Sequence, residues 1–180
     1  MNQSLIWCAS YALVAILIAP LGCSRTIDWS STASITSHIE ITTDPYKHTI
    51  SYVGPNAATQ PGDHVMLRAW MLPSGTVAYQ VYIEDVHTYD IVRGGTGWRF
   101  YAAAHDTDGQ RLPMTLISKD VMWCGQYTCE YREIVGIDLT RDYIEAHTTA
   151  GVKIQISGKR DEETITLPGP YIQAMLTVVQ

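Results

Sequence analysis

The sequence predicts a mainly β protein, an antiparallel sandwich or open barrel with two short helices, one of them C-terminal. Three observations lead there. Apolar and polar residues alternate with period two over most of the chain after residue 35. Turn signals rich in Gly, Pro and Asp separate these runs at hairpin spacing. Only two stretches break the alternation with helical spacing and capping residues.

The elements follow in order. "SHIEITT" alternates through Ile35, Ser37, Ile39 and Ile41, and "HTISYV" repeats the pattern with Ile50, Tyr52 and a flanking Val53. "TQPGDH" is a turn. "HVMLRAWML" (64–72) and the run 76–86 form a hairpin around Pro73-Ser74-Gly75. In its second strand Val77, Tyr79, Val81 and Ile83 share one face and Ala78, Gln80, Tyr82 and Glu84 the other, so one face packs inward and one is wetter. "RGGTG" is a loop and "WRFYAAAH" a strand. Asp106 to Gly109 turns the chain into "QRLPMTLI", where Pro113 has no N–H to give and marks an edge or a strand start. "DVMWC" and "CEYREIVGIDL" form a further hairpin, with Gly136 at a bulge or a close backbone approach. Thr140 caps a short helix that ends at Gly151. "GVKIQISG" and "ETITLP" pair around the mixed-charge tip Lys159–Glu163. The C-terminal helix begins at Pro170 and packs through Tyr171, Met175, Leu176 and Val179. With eleven Tyr and one Phe in the chain, rings with polar tips carry the aromatic packing, which places many of them at strand ends or near the surface.

The N-terminus has a different character. Leu5 to Leu21 carries no charge, and its continuously apolar core, Leu13 to Ala19, is short. A spanning helix wants about 20 apolar residues and a secretory h-region about 7 to 15. Residues 1–22 therefore read as a signal peptide. Their end, Leu21-Gly22-Cys23, resembles the lipobox of bacterial lipoproteins, with Pro20 where an aliphatic residue is usual. The resemblance implies that Cys23 is diacylated and becomes the mature N-terminus. With Ser24 next, it further implies an outer-membrane anchor facing the periplasm in a diderm. An uncleaved N-terminal anchor and plain secretion are the other readings. Residues 23–35, rich in Ser and Thr, read as a tether, with Trp29 at the membrane interface or docked on the domain. Residues 36–180 form the single β-rich domain.

A net charge of −6 and the absence of a Lys/Arg run argue against nucleic acid and against docking through a basic patch. Cys124 and Cys129, in "WCGQYTCEY", remain as one pair, and in an oxidising compartment they form a disulfide that staples a turn. Four residues between them, where a thioredoxin-like site has two, speak against redox chemistry, and no further ligands stand nearby for zinc.

Catalytic motifs are lacking: there is no nucleophile elbow, zincin helix or phosphate loop. His38 and Glu40 share a strand face that His48 could join, but edge His and Glu are more often solvated. Asp106 and Asp108 begin a calcium-loop spacing that the following residues do not continue. His64, His87, His105 and His147 are isolated in sequence. No cofactor and no metal is expected. The function that fits is a non-catalytic envelope lipoprotein that binds other envelope proteins or stabilises an assembly, its membrane contact being the N-terminal lipid. One alternative is a module that binds a glycan or small apolar molecule through Trp70 and Trp98. The other is a hydrolase whose His and Asp residues converge only in the fold.

Overall fold

The computed structural model describes residues 26–94 and 97–179. The signal peptide and the lipidation site at Cys23 lie outside the described residues. Within them the chain forms ten strands and three α-helices. Strands β1 (Glu40–Asp44), β2 (Thr49–Val53), β3 (His64–Met71), β4 (Val77–Asp90), β7 (Met114–Cys124) and β8 (Thr128–Leu139) make one antiparallel sheet in the order β1-β2-β3-β4-β8-β7. The second sheet has the order β10-β9-β5-β6, built from β5 (Ala103–Asp106), β6 (Arg111–Leu112), β9 (Val152–Ser157) and β10 (Glu162–Leu167). One core joins them: Leu67, Val81, Ile83, Val135 and Ile137 from the first, and Ala104, Ile154, Ile156, Ile165 and Leu167 from the second.

The period-two reading holds where both sheets cover the strands. In β9, Val152, Ile154 and Ile156 are buried while Lys153 and Gln155 are exposed, as a sheet with one wet face requires. The β3–β4 hairpin pairs Met71 with Val77 and His64 with Glu84 across the Pro-Ser-Gly loop. In the Asp106 turn, the Gly109 amide donates to the Asp106 carbonyl, and the carboxylate accepts from the amides of Asp108 and Gln110. That is a self-contained turn, and it accounts for the Asp-x-Asp-Gly pattern. Pro113 sits between β6 and β7, where the chain leaves one sheet for the other, so its missing N–H interrupts no ladder.

Helix α2 (Arg141–Ala146) is capped by the Thr140 hydroxyl, which accepts from the Tyr143 amide. Gly151 then adopts φ +79°, and a Cβ there would strike the Leu167 carbonyl, so only glycine serves. Helix α3 (Gly169–Val178) buries Tyr171, Ile172 and Met175 against the core. The Tyr171 hydroxyl donates to the Pro55 carbonyl and accepts from the Leu67 amide, which places α3 over the β2–β3 half.

Three expectations need correction. Residues 32–36 form a helix, α1 (Thr32–Thr36), and not the start of a strand. The Ser31 side chain caps it by accepting from the Ser34 amide, and Ile35 and Ile39, four apart, suit a helical stripe as well as an alternation. The tether accordingly does not run to residue 35: Ile35 is fully buried, and Ile27 and Trp29 pack on the core. Trp29 meets the Tyr171 ring edge-on at 5.8 Å. Third, "WRFYAAAH" is a strand only from Ala103; Trp98 to Ala102 are irregular, with Phe100 at φ 60°. Of the two readings of Gly136, the close approach is the one seen: the Gln80 side chain lies over the β8 backbone there, while the bulges fall in β7, at Leu116/Ser118 and Val121/Trp123.

Candidate functional site

Strand β4 is fourteen residues long, whereas no strand of the second sheet exceeds six. The inner face of β4 and β8 therefore runs past its cover. Up to Ile83 and Val135 that face is apolar. Beyond them the cross-strand pairs are Asp85 with Glu133, His87 with Tyr131, and Tyr89 with Cys129. Asp85 and Glu133 are the two buried acids among the described residues, 2% and 0% exposed. The irregular segment 97–102 lies over them.

Each acid is neutralised there. Asp85 Oδ2 lies 3.1 Å from Arg99 Nε, 3.1 Å from the Tyr101 hydroxyl and 3.2 Å from His87 Nδ1. Glu133 accepts from the backbone amides of Arg99 and Phe100, and Lys119 Nζ stands 3.6 Å away. These two amide bonds hold Phe100 at its positive φ, a conformation that is unfavourable for a bulky residue. Arg99 also reaches Asp161 at 3.2 Å and donates to the Tyr101 oxygen, so it bridges β4 to the β9–β10 turn.

The electrostatics follow from this crowding. Burial raises the Glu163 carboxyl, and the nearby Asp85 and Asp63 charges raise it further. Burial likewise lifts Asp63, against the amide of Val86 that it accepts from. Burial and then Asp85 drive the Tyr101 phenol far up, the reverse of what a nucleophile needs. For His87, burial opposes the charged form, but Asp85 and the Gly97 carbonyl outweigh it and the imidazole pKa is raised. His87 Nε2 lies 2.7 Å from the Gly97 carbonyl, which can only accept, so Nε2 carries a proton. Nδ1 then faces Asp85 in an ion-pair approach without an aligned hydrogen bond. The imidazolium is the form that suits both neighbours. Among the described residues no group of three His, Cys, Asp or Glu side chains is arranged to hold a metal. The cluster works as an ionic clasp on segment 97–102. The cleft beside it, about 410 Å³ at His87, Tyr89, Arg99 and Arg160, is open and polar.

The residues singled out from sequence are dispersed. Trp70 lies on the outer face of β3, with the Arg68 guanidinium 4.8 Å over its ring and the Tyr82 ring on the same cation. Trp98 packs edge-on against Tyr131 at 4.8 Å on the inner side, with Lys119 5.7 Å from its ring. The sheet separates the two indoles. A more apolar hollow of about 150 Å³, at Leu112, Pro113, Leu139 and Tyr143, contains neither. Cys124 and Cys129 form a disulfide across the β7–β8 turn. His38 turns back onto the Ser34 carbonyl, and His48 occupies the β1–β2 turn at φ 51°.

Sequence reasoning passed over Asp85, Glu133, Arg99 and Lys119. Strand parity was the available signal: Asp85 continues the inward series of Val81 and Ile83. The edge strand was signalled by Pro113, after which β7 begins, but its exposed apolar residues were not singled out. Among the described residues β7 pairs with β8 alone, and no strand pairs with its other side along its eleven residues. Leu116, Ile117, Val121, Met122 and Trp123 are all exposed there, Trp123 at 61%. Around the disulfide the apolar surface continues through Tyr127 and Val92, 58% and 70% exposed, and the Ile91 amide bonds the Tyr127 carbonyl. A long, apolar, unpaired edge is a template for pairing with another chain. No family model, curated protein or solved structure matches this chain.

Proposed function

We propose that this chain is a lipid-anchored, non-catalytic module of the bacterial envelope that binds another envelope protein along the free edge of β7. The observation that carries the reading is that edge: an eleven-residue strand that, among the described residues, is paired on one side only and carries exposed apolar side chains. An extended partner segment added there gains main-chain hydrogen bonds, and Val121, Met122 and Trp123 supply side-chain specificity. The two bulges, with Lys119 and Asp120 between them, interrupt the ladder and disfavour indiscriminate pairing with any passing strand. The buried ionic cluster fits a structural duty, because its acids are already matched by Arg99, Lys119, His87 and two amides. The lipid anchor rests on Leu21-Gly22-Cys23, and places the domain at the outer membrane on its periplasmic side.

A photo-crosslinking residue placed at Val121 or Trp123 in the native membrane-bound protein tests the binding surface. Both positions should yield the same discrete adduct, and Lys153, exposed on β9, should not. Absence of adducts from β7, or equal yield from all three positions, removes the proposal. Intact-mass measurement tests the anchor: a chain starting at acylated Cys23 agrees with it, and one retaining Met1 does not.

A further inference from the structure

We infer that the hydroxyl-rich face built from residues 26–37 and α3 lies against lipid headgroups, leaving the β7 edge turned away from the bilayer. The inference rests on the reading that Cys23 is acylated, and concerns how the body is then held.

Chain length comes first. Ile27 is already packed on the core, so four residue steps separate it from Cys23, and fully extended chain covers at most about 14 Å in that distance. Headgroup regions occupy only about 5–7 Å on each side of the hydrocarbon. A body fastened at Ile27 is therefore held close to the surface: even a fully extended arm lets Ile27 rise only about 7–9 Å beyond the headgroups. The arm is fastened firmly. Trp29 meets Tyr171 edge-on, the Asp28 amide bonds the Ser34 hydroxyl, Thr32 donates to Gln173 on α3, and Ile35 is fully buried.

The face also has suitable chemistry. Across residues 26–37 the single charged side chain is Asp28, and α3 has none, in a chain with 12 basic and 18 acidic residues. Its exposed residues are Thr26, Asp28, Ser30, Ala33, Ser37, Gln173 and Thr177. Hydroxyls and an amide exchange hydrogen bonds with phosphates and ester carbonyls, and almost no charge has to be desolvated as the surfaces meet. On the far side, α3 covers the β2–β3 half of the sheet while β7 is the opposite edge. Three strand spacings, about 14 Å, separate β3 from β7.

The test uses the full-length acylated protein in phosphatidylethanolamine–phosphatidylglycerol vesicles that carry a headgroup-linked energy acceptor. A donor fluorophore is introduced as an unnatural residue at Ala33 or at Val121, each variant keeping the wild-type melting curve. Transfer from Ala33 should exceed transfer from Val121 by at least about twofold, given the separation set by the strand spacing. Equal transfer, or a larger value at Val121, overturns the orientation while leaving the anchor standing. A protein crosslinked at Ala33 in cells overturns it as well. Mass spectrometry of the same sample reports the anchor separately: without acyl chains, the anchoring reading and the orientation fail together.

Discussion

Two buried tyrosines show how much a single oxygen decides. Tyr171 donates to Pro55 and accepts from Leu67, satisfying backbone groups that no strand partner reaches. Tyr79 has a buried hydroxyl without a partner among the described residues. Removing an oxygen that serves two buried groups strands both, whereas removing an unpaired one strands nothing. Tyr171→Phe should therefore cost about 1–3 kcal/mol in denaturant unfolding, and Tyr79→Phe should be neutral or slightly stabilising. Equal losses would contradict the assignment. His87 makes a pH prediction. Its folded-state pKa is raised despite burial, through Asp85 and the Gly97 carbonyl. A group of this kind contributes its full stability below its unfolded value, about 6.5, and loses it as pH rises through the higher folded value. Asp63 and Glu163, also raised, act with the same sign but from the ordinary carboxylate range upward. The melting temperature should fall as pH rises above about 6.5 and through the raised folded value, and His87→Gln should flatten that slope. An unchanged slope in the variant would show that His87 is not the titrating group. None of this cluster was legible as a site, because Asp85, Glu133 and Arg99 are far apart in sequence and form no spaced motif. Parity alone placed Asp85 inward, and parity cannot name its partners.

The elements differ in how openly they declared themselves. Where a strand is covered on one face, as in β3 and β9, alternation mirrors burial closely. The β7–β8 staple and the Thr140 cap were equally plain, since each depends on neighbours within a few residues. α1 was hidden because Ile35 and Ile39 satisfy both periods, and only burial against α3 selects the helix. Ile35→Ala therefore discriminates between an arm and a tether. A fully buried isoleucine lost from a core should cost about 2–5 kcal/mol. Ile41→Ala, at an exposed position on β1, should stay within about 0.5 kcal/mol. If Ile35→Ala were as mild as Ile41→Ala, residues 26–37 would be a free linker, and the close apposition to the membrane would lose its basis.

At the scale of the whole molecule, the two sheets are one structure. The step from β6 to β7 passes through Pro113 alone, and the Pro113 carbonyl accepts from the Asp138 amide, tying the crossing to β8. On the opposite side α3 closes the core and α1 covers α3. Neither sheet can lose its partner without exposing the residues they share. Unfolding should be a single transition, with far-ultraviolet dichroism and tryptophan fluorescence superimposing on one denaturant curve. Separate midpoints would show that the sheets open independently. The same closure leaves two features outside it: the β7 edge, which no strand of the described residues covers, and the end of the β4–β8 pair, which the shorter sheet cannot reach.

What the sequence determined by itself was local: the β class, the hairpins, the turns at Pro73 and Asp106, the stapled pair and the C-terminal helix. Each follows from side-chain period or from hydrogen bonds a few residues apart, information that a single stretch of chain contains. The tertiary structure alone decided the order of strands in each sheet, where β4 outruns its cover, and that residues 26–37 dock on α3. These depend on relative strand lengths and on burial between distant segments. The free energy that selects them arises only when both surfaces leave water together.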